Sequence, residues 1–205
     1  IDDGFSSFYE NAWPVLKKEK IPFILFVNTE NIGSSGYMDW KELKNILKYD
    51  FAHIGNHSHS HGYLVDKTDQ EIKNDIKKSI EIFENKLNYR TEFFAYPFGE
   101  YKNSYKKIVK ELGFSYAFGQ HSGVMDSTKD KFELPRFPIN EKYGEIQRFK
   151  GLLKTIPLPF KKIIPDEKYL SDENNPPNVQ IDFFQDGPSI KNINCYSNEL
   201  NEWRK

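Results

Sequence analysis

Apolar residues along most of the chain follow two alternating rhythms. Between residues 5 and 20, Phe5, Phe8, Tyr9, Ala12, Val15 and Leu16 fall at helical spacing, Lys17 to Lys20 close the run with charge, and Pro14 marks a point where it can kink. Residues 23–28 are instead a continuous apolar run, as a strand buried on both faces requires. Asp39 with Glu42 predicts a capping box and a helix to about Tyr49, and a short strand over about 51–55 follows. Thr68 with Glu71 predicts a second box, and the helix behind it carries Ile72, Ile76, Ile80, Phe83 and Leu87 on one face. Further strands are predicted over 92–96 and 114–118, with a less regular one over 132–137. Asn103 is predicted to cap a helix that stops at Gly113, and another helix is predicted near 145–154.

This alternation predicts an α/β fold over residues 1–156, with a parallel sheet that is open or closed into a barrel. After residue 156 the texture changes. Pro157, Pro159, Pro165, Pro176 and Pro177 punctuate a charged, aperiodic stretch, so 157–177 reads as a linker or wrapping segment. Strand-like alternation resumes after Asn178, and 178–205 reads as the start of a β-rich module. The chain opens on Ile1-Asp2-Asp3-Gly4 as if a strand were already under way, and the residues near Trp203 read as mid-domain sequence. Further sequence, with any targeting signal, is expected at both ends.

Composition narrows the function classes. The 205 residues carry a net charge of −1 from 29 basic and 30 acidic side chains, which points neither to nucleic acid nor to an anionic membrane. No apolar run is long enough to predict a transmembrane helix. Cys195 stands alone, excluding an intramolecular disulfide and a cysteine-based zinc site. Aromatic residues make up 16% of the chain, which suits either a well-filled core or a sugar-stacking surface.

Candidate chemistry concentrates in two segments. Asp2 and Asp3 sit where a strand should end and a helix begin, and ligand sites in α/β folds lie at the carboxyl ends of strands. Neighbouring strand residues point to opposite sides, but a turn at Gly4 can bring both carboxylates to one pocket. A plain cap for a helix at Phe5 would explain either Asp equally well. The second segment, His57-Ser58-His59-Ser60-His61, also follows a strand. His57 and His61 are four apart, so on a helical turn they share one side and can grip one metal while His59 points away. A solvated histidine-rich loop is the alternative, although four of the five histidines crowd between His53 and His61. One carboxylate and two imidazoles leave coordination positions open for water and substrate. A second carboxylate nearby can take a proton from that water. Spacing does not decide which Asp is ligand and which is base.

These segments resemble the motifs of the NodB-type polysaccharide deacetylases, carbohydrate esterase family 4. Ile1-Asp2-Asp3-Gly4 is similar to the family's Thr-Phe-Asp-Asp-Gly motif, and His57 to His61, set behind Ile54-Gly55-Asn56, to its His-Ser/Thr-x-x-His motif. Phe94-Ala95-Tyr96-Pro97-Phe98-Gly99 resembles its third motif, Phe-Arg-Pro-Pro-Tyr-Gly, in the style of the relatives that deacetylate poly-N-acetylglucosamine. The likeness spans residues 1–150 and implies a distorted (β/α) barrel of about seven strands. It implies one divalent metal on Asp3, His57 and His61, zinc first and nickel, cobalt or iron as alternatives, with Asp2 as the base for metal-bound water. The implied substrate is an N-acetylated polysaccharide of N-acetylglucosamine, in an extracytoplasmic setting. Tyr96, Pro97, Phe98 and Gly99 form the implied substrate-binding segment, with the Phe98 amide N–H facing the oxyanion. Tyr96, Phe98 and Tyr101 are candidates for a sugar platform.

Two departures bear on mechanism. Ala95 stands where the third motif carries an Arg that orients the base, and Arg136 is the candidate replacement from a later strand. The family's late Leu-x-His motif is absent, which leaves His121, just past the strand over 114–118, as the candidate general acid. Three other readings compete: an amidohydrolase-like metal pair of His57 and His59, an O-acetyl esterase, and a catalytically weak or inactive sugar-binding relative.

Overall fold

The computed structural model describes residues 1–184 and 194, together with the backbone of 197–199 and 202–204. The rest of the module expected over 178–205, including Cys195, lies outside the described residues. The chain divides into two compact units, the first made of Ile1–Pro157 and Glu167–Tyr169, the second of Leu158–Asp166 and Leu170–Lys205.

Four parallel strands form the sheet of the first unit in the order β1 (Phe23–Val27), β2 (Ala52–Asn56), β3 (Phe93–Ala95) and β4 (Tyr116–Phe118). Helix α1 (Trp13–Glu19) precedes β1, and α2 (Trp40–Ile46), α3 (Asp69–Leu87) and α4 (Asn103–Glu111) lie between successive strands in sequence. The period of two along each strand sorts the side chains. Leu25, Val27, Ala52 and Ile54 join Trp13, Leu43, Ile46 and Phe83 in one core, and Phe94, Tyr96 and Ala117 join Ile72, Ile76, Tyr105 and Val109 in another. The opposite face of the same strands presents Phe26, Ala95 and Phe118, which cluster with Leu134. Burying each such Leu, Ile or Phe stabilises the fold by roughly 1.5–3 kcal/mol before entropy is counted.

The sheet is extended by single residues at both edges. The Ile1 carbonyl accepts from the Phe26 N–H at 2.8 Å, and the Ile1 nitrogen donates to the Ile24 carbonyl at 3.1 Å. Beyond β4, Leu134 makes one parallel bridge with Phe118. Asp2 follows the first edge and Arg136 the second, and the two side chains meet at 2.6 Å. The sheet is thus curled around the Phe26–Phe118 interior and joined by an ion pair rather than a backbone ladder. The expected seven strands are not formed among the described residues of this unit. The strand predicted over 132–137 shrinks to the single Leu134 bridge, with the Arg136 N–H donating further on to the His121 carbonyl at 3.0 Å.

Other expectations hold or shift locally. Both capping boxes form, at Asp39–Glu42 and at Thr68–Glu71. Asn103 is the first residue of α4 rather than its cap, and the Glu167 carboxylate accepts its N–H at 3.0 Å. The single helix predicted over 5–20 divides into a π-helical turn, Phe8–Ala12, and α1, with Pro14 in its first turn. Pro14 cannot donate to a carbonyl four residues back, and the preceding turn widens until the Trp13 N–H reaches Phe8. A short helix α5 (Ile146–Leu152) ends this part of the chain.

In the second unit, β5 (Phe160–Ile164) pairs antiparallel with β6 (Gln180–Phe183), and β7 (Ser197–Glu199) with β8 (Glu202–Arg204). A strand therefore lies within 157–177, the stretch read from its prolines as a linker or wrapping segment. Its Phe160-Lys161-Lys162-Ile163-Ile164 core contains no proline, and the punctuation flanks it.

Candidate metal centre

Two tight turns at the carboxyl edge of the sheet build the site. Asp3 and Gly4 both have left-handed backbone, at φ 73° and 79°. A Cβ on Gly4 would stand 2.9 Å from the Val27 side chain, so glycine is needed there for space as well as conformation. The histidine turn after β2 has Ser58 at φ 68° and His61 at φ 51°. The Asn56 side chain accepts the Ser58 N–H at 2.8 Å, and the Ser58 hydroxyl accepts the His61 N–H at 3.0 Å. From α3, the Asp75 carboxylate accepts the N–H groups of His59 and Ser60 at 2.8 and 3.2 Å. Left-handed non-glycine residues cost about 1–3 kcal/mol each and gather where neighbouring structure enforces them.

The turns converge Asp3, His57 and His61, whose donor atoms all lie within 4.8 Å of one another. Asp3 Oδ1 is 3.8 Å from His57 Nε2 and 3.2 Å from His61 Nε2. A tetrahedral ion with bonds near 2.0 Å needs donors roughly 3.3 Å apart, a value between these two. His57 Nδ1 lies 2.7 Å from the Ala95 carbonyl, which only accepts, so the ring carries its proton on Nδ1 and turns a lone pair on Nε2 toward Asp3. Burial lowers the His57 pKa and holds the ring neutral, as a ligand must be. Asp3 Oδ1 and His57 Nε2 are both buried without a hydrogen-bond partner. Orphaned acceptors at this depth are costly, and a cation between them would relieve both. The donor set fits a divalent ion.

Asp2 stands apart from this set. Arg136 donates to both its oxygens, Nη1 to Oδ1 at 2.6 Å and Nη2 to Oδ2 at 3.0 Å, while Nε donates to the Gly119 carbonyl at 2.8 Å. The guanidinium also lies over the Phe26 ring, 5.5 Å from its centroid. Burial pushes the Asp2 carboxyl up, but the hydrogen bonds and charge of Arg136 outweigh it and hold the pKa below its ordinary value. Arg136 thus occupies the partner position expected for the Arg that Ala95 replaces. Ala95 itself is buried among Phe26, Phe118 and Leu134, and its carbonyl fixes His57.

Several expected residues are placed differently. Tyr96 is fully buried with its hydroxyl donating to the Phe132 carbonyl, and Tyr101 is buried against it, so neither offers a ring to a sugar. Tyr96 is instead core because it shares a strand face with Phe94. Pro97 is buried in a 3-10 turn, Pro97–Gly99. Gly99, at φ 75°, lets the chain pass Gln120, whose backbone nitrogen would be 2.6 Å from a Cβ. Phe98 is half exposed at φ 60°, and its ring packs on His61 with centroids 4.9 Å apart. His121 touches Tyr101, with ring centroids 6.2 Å apart, and accepts the Arg136 N–H on its carbonyl. No contact joins it to Asp2, Asp3, His57 or His61, so the acid role expected of it gains no support. His59 faces away, with Nδ1 2.8 Å from the Thr29 hydroxyl, which removes the His57–His59 metal pair. Asp75 was not singled out by motif. Its one signal is a carboxylate beside the buried Ile72–Ile76 stripe of α3.

A family model, Polysaccharide deacetylase, matches residues 1–117, and the chain belongs to that family, the NodB-type deacetylases of carbohydrate esterase family 4. The chain is 26% identical over 166 residues to a poly-beta-1,6-N-acetyl-D-glucosamine N-deacetylase of Staphylococcus aureus (strain MSSA476), a match covering 74% of this chain and 57% of that protein. The chain thus spans little more than half the length of that relative. Among solved structures, a Streptococcus pyogenes deacetylase PplD in complex with acetate superposes with a TM-score of 0.70 at 22% identity, over 75% of this chain and 68% of that one. IcaB from Ammonifex degensii does so with a TM-score of 0.68 at 24% identity, over 75% and 71%. A family pseudoenzyme from Bacillus anthracis, BA3943, shares the fold more distantly, with a TM-score of 0.50 at 20% identity over 57% and 40%. These likenesses establish the fold.

Proposed function

We infer that the chain is a metal-dependent deacetylase that removes N-acetyl groups from an N-acetylglucosamine-containing polysaccharide outside the cytoplasm. The observation that carries this reading is the pairing of two differently fixed carboxylates. Asp3 belongs to the metal-donor set, its Oδ1 and His57 Nε2 buried without a hydrogen-bond partner, while Asp2 beside it is held ionised by a two-point Arg136 clamp. The kind of polymer is suggested by the S. aureus relative, an N-deacetylase of poly-beta-1,6-N-acetyl-D-glucosamine.

Asp3, His57 and His61 would hold the cation, and two imidazoles with one carboxylate suit zinc first. A divalent ion there supplies a Lewis acid for the acetyl carbonyl and a water of lowered pKa. Asp2, its lone pairs aimed by Arg136, is the residue that would accept a proton from the attacking water. The Phe98 backbone, turned to φ 60° beside His61, offers its amide N–H to the developing oxyanion. Asp2 then returns the proton to the leaving amine, since a carboxyl held below its ordinary pKa gives up a proton readily.

Acetate release from N-acetylglucosamine oligomers by the zinc-loaded chain tests the reading. Asp2→Asn should keep the metal and lose roughly 10²–10⁴-fold in rate, the usual contribution of a general base. Full activity in Asp2→Asn would remove the role given to that residue. Absence of acetate release from every oligomer would favour a catalytically inactive sugar-binding protein.

A further inference from the structure

Aromatic rings lead away from the metal donors in an open strip. Phe98 packs edge-on against His61, Tyr63 lies 5.6 Å from Phe98, and Tyr169 lies 6.5 Å from Tyr63, centroid to centroid. Phe98 remains 50% exposed and Tyr63 42%, although both touch neighbouring rings. The aromatic residues of the nearby core behave differently, with Tyr96 and Tyr105 fully buried. Tyr169 reaches the strip from a segment far along the chain, Glu167–Tyr169, which belongs to the first unit.

That distant residue is held in place. Its hydroxyl donates to the Asp66 carboxylate, in the 3-10 turn Leu64–Asp66 that follows Tyr63. The Glu167 carboxylate accepts the Tyr169 N–H at 3.2 Å and the Asn103 N–H at the start of α4 at 3.0 Å. A fold that fixes rings and yet leaves them facing water forgoes their burial energy, which marks the surface as one that something apolar covers. The surface starts at a metal ligand, so its occupant is a part of the substrate beyond the reacting group. A pyranose ring has an apolar C–H face to lie on such rings and hydroxyls at its rim for the Asp66 carboxylate.

We propose that Tyr63 and Tyr169, continuing from Phe98, form a stacking subsite for a sugar ring of the polymer neighbouring the one whose acetamide enters the metal centre. This rests on the deacetylase reading above. Stacking of a neighbouring ring on the strip makes the enzyme selective for chains over single sugars.

The test compares a β-linked N-acetylglucosamine pentamer with 4-nitrophenyl acetate, which is too small to span the strip. For the zinc-loaded chain, Tyr63→Ala and Tyr169→Ala should each raise KM for the pentamer roughly three- to tenfold, the scale of one lost stacking contact, with kcat and ester hydrolysis unchanged. Pentamer binding measured by calorimetry in an Asp2→Asn background should weaken by the same factor. Tyr63→Phe keeps the ring and should bind as the parent does, which separates stacking from misfolding. Unchanged KM and Kd in both alanine variants would overturn the strip while leaving the deacetylase reading intact. Pentamer binding that depends on both tyrosines, in a chain that releases no acetate, would uphold the strip and overturn the catalytic reading. A chain that neither binds nor cleaves the pentamer overturns both.

Discussion

Replacing Arg136 with Ala removes three hydrogen bonds at once, two to the Asp2 carboxylate and one to the Gly119 carbonyl. The Asp2 and Arg136 side chains are only 20% and 22% exposed, so water replaces those bonds poorly. Charge-assisted hydrogen bonds are each worth about 1.5–3 kcal/mol, and an orphaned buried carboxylate adds its own desolvation cost. A stability loss of about 2–4 kcal/mol is expected, readable by chemical denaturation. The same pair makes stability depend on acid. Because the folded-state pKa of Asp2 lies below its ordinary 3.8, the pair stabilises the fold fully above that pH and loses its contribution as pH falls through the folded value. The Ala variant should lack this acid-sensitive increment. In catalysis, Asp2 without its clamp drifts from its aim and its pKa rises, since the main influence opposing burial is gone. The expected result is about a 10²-fold drop in kcat/KM, with the acid limb of the pH–rate profile moved to higher pH. Arg136→Lys keeps the charge without the two-point geometry and should recover only part of the rate. A kcat/KM and pH profile unchanged in Arg136→Ala would refute the clamp.

Three further outcomes follow from the same geometry. Asp75→Ala frees the N–H groups of His59 and Ser60 and should weaken zinc binding about 10–100-fold, as loss of outer support does, measured by competition with a chromophoric chelator. Gly55→Ala places a Cβ 2.3 Å from the Phe26 ring inside the curled sheet and should destabilise the fold by about 1–3 kcal/mol in a urea titration; a stability equal to the parent would contradict that packing. Zinc affinity should fall as pH drops through and below the ordinary histidine value of 6.5. Asp3 raises the pKa of His61, so protons compete with the metal for that ring up to a higher pH than for an ordinary histidine, and calorimetry in buffers of different ionisation enthalpy will register the proton release on binding.

Much of the site was legible because its chemistry is local. His57 and His61 share a turn, Asp2 and Asp3 are neighbours, and the capping boxes at Asp39 and Thr68 need only four residues each. What sequence left open depended on contacts between distant segments. Arg136 could be named as a candidate, but its aim at Asp2 is set by the curl of the sheet. The face on which Tyr96 lies is fixed by the register of β3, which turned a candidate sugar platform into core. Tyr169 lies far beyond the matched motifs, and only the docking of Glu167 on α4 brings it to Tyr63. Asp75 carries no motif at all and acts through backbone N–H groups. Prolines marked irregularity without locating it, since β5 sits between them and Pro14 follows a widened turn.

The central claim is that Asp3, His57 and His61 hold one divalent ion. An anomalous difference map from crystals of the zinc-loaded chain, recorded at the zinc edge, tests it most directly. The account expects one strong peak bonded to Asp3 Oδ1, His57 Nε2 and His61 Nε2 at about 2.0–2.2 Å, with Asp2 left on Arg136. A peak that engages Asp2 or His59 in place of these donors, or no peak at this turn, would contradict it.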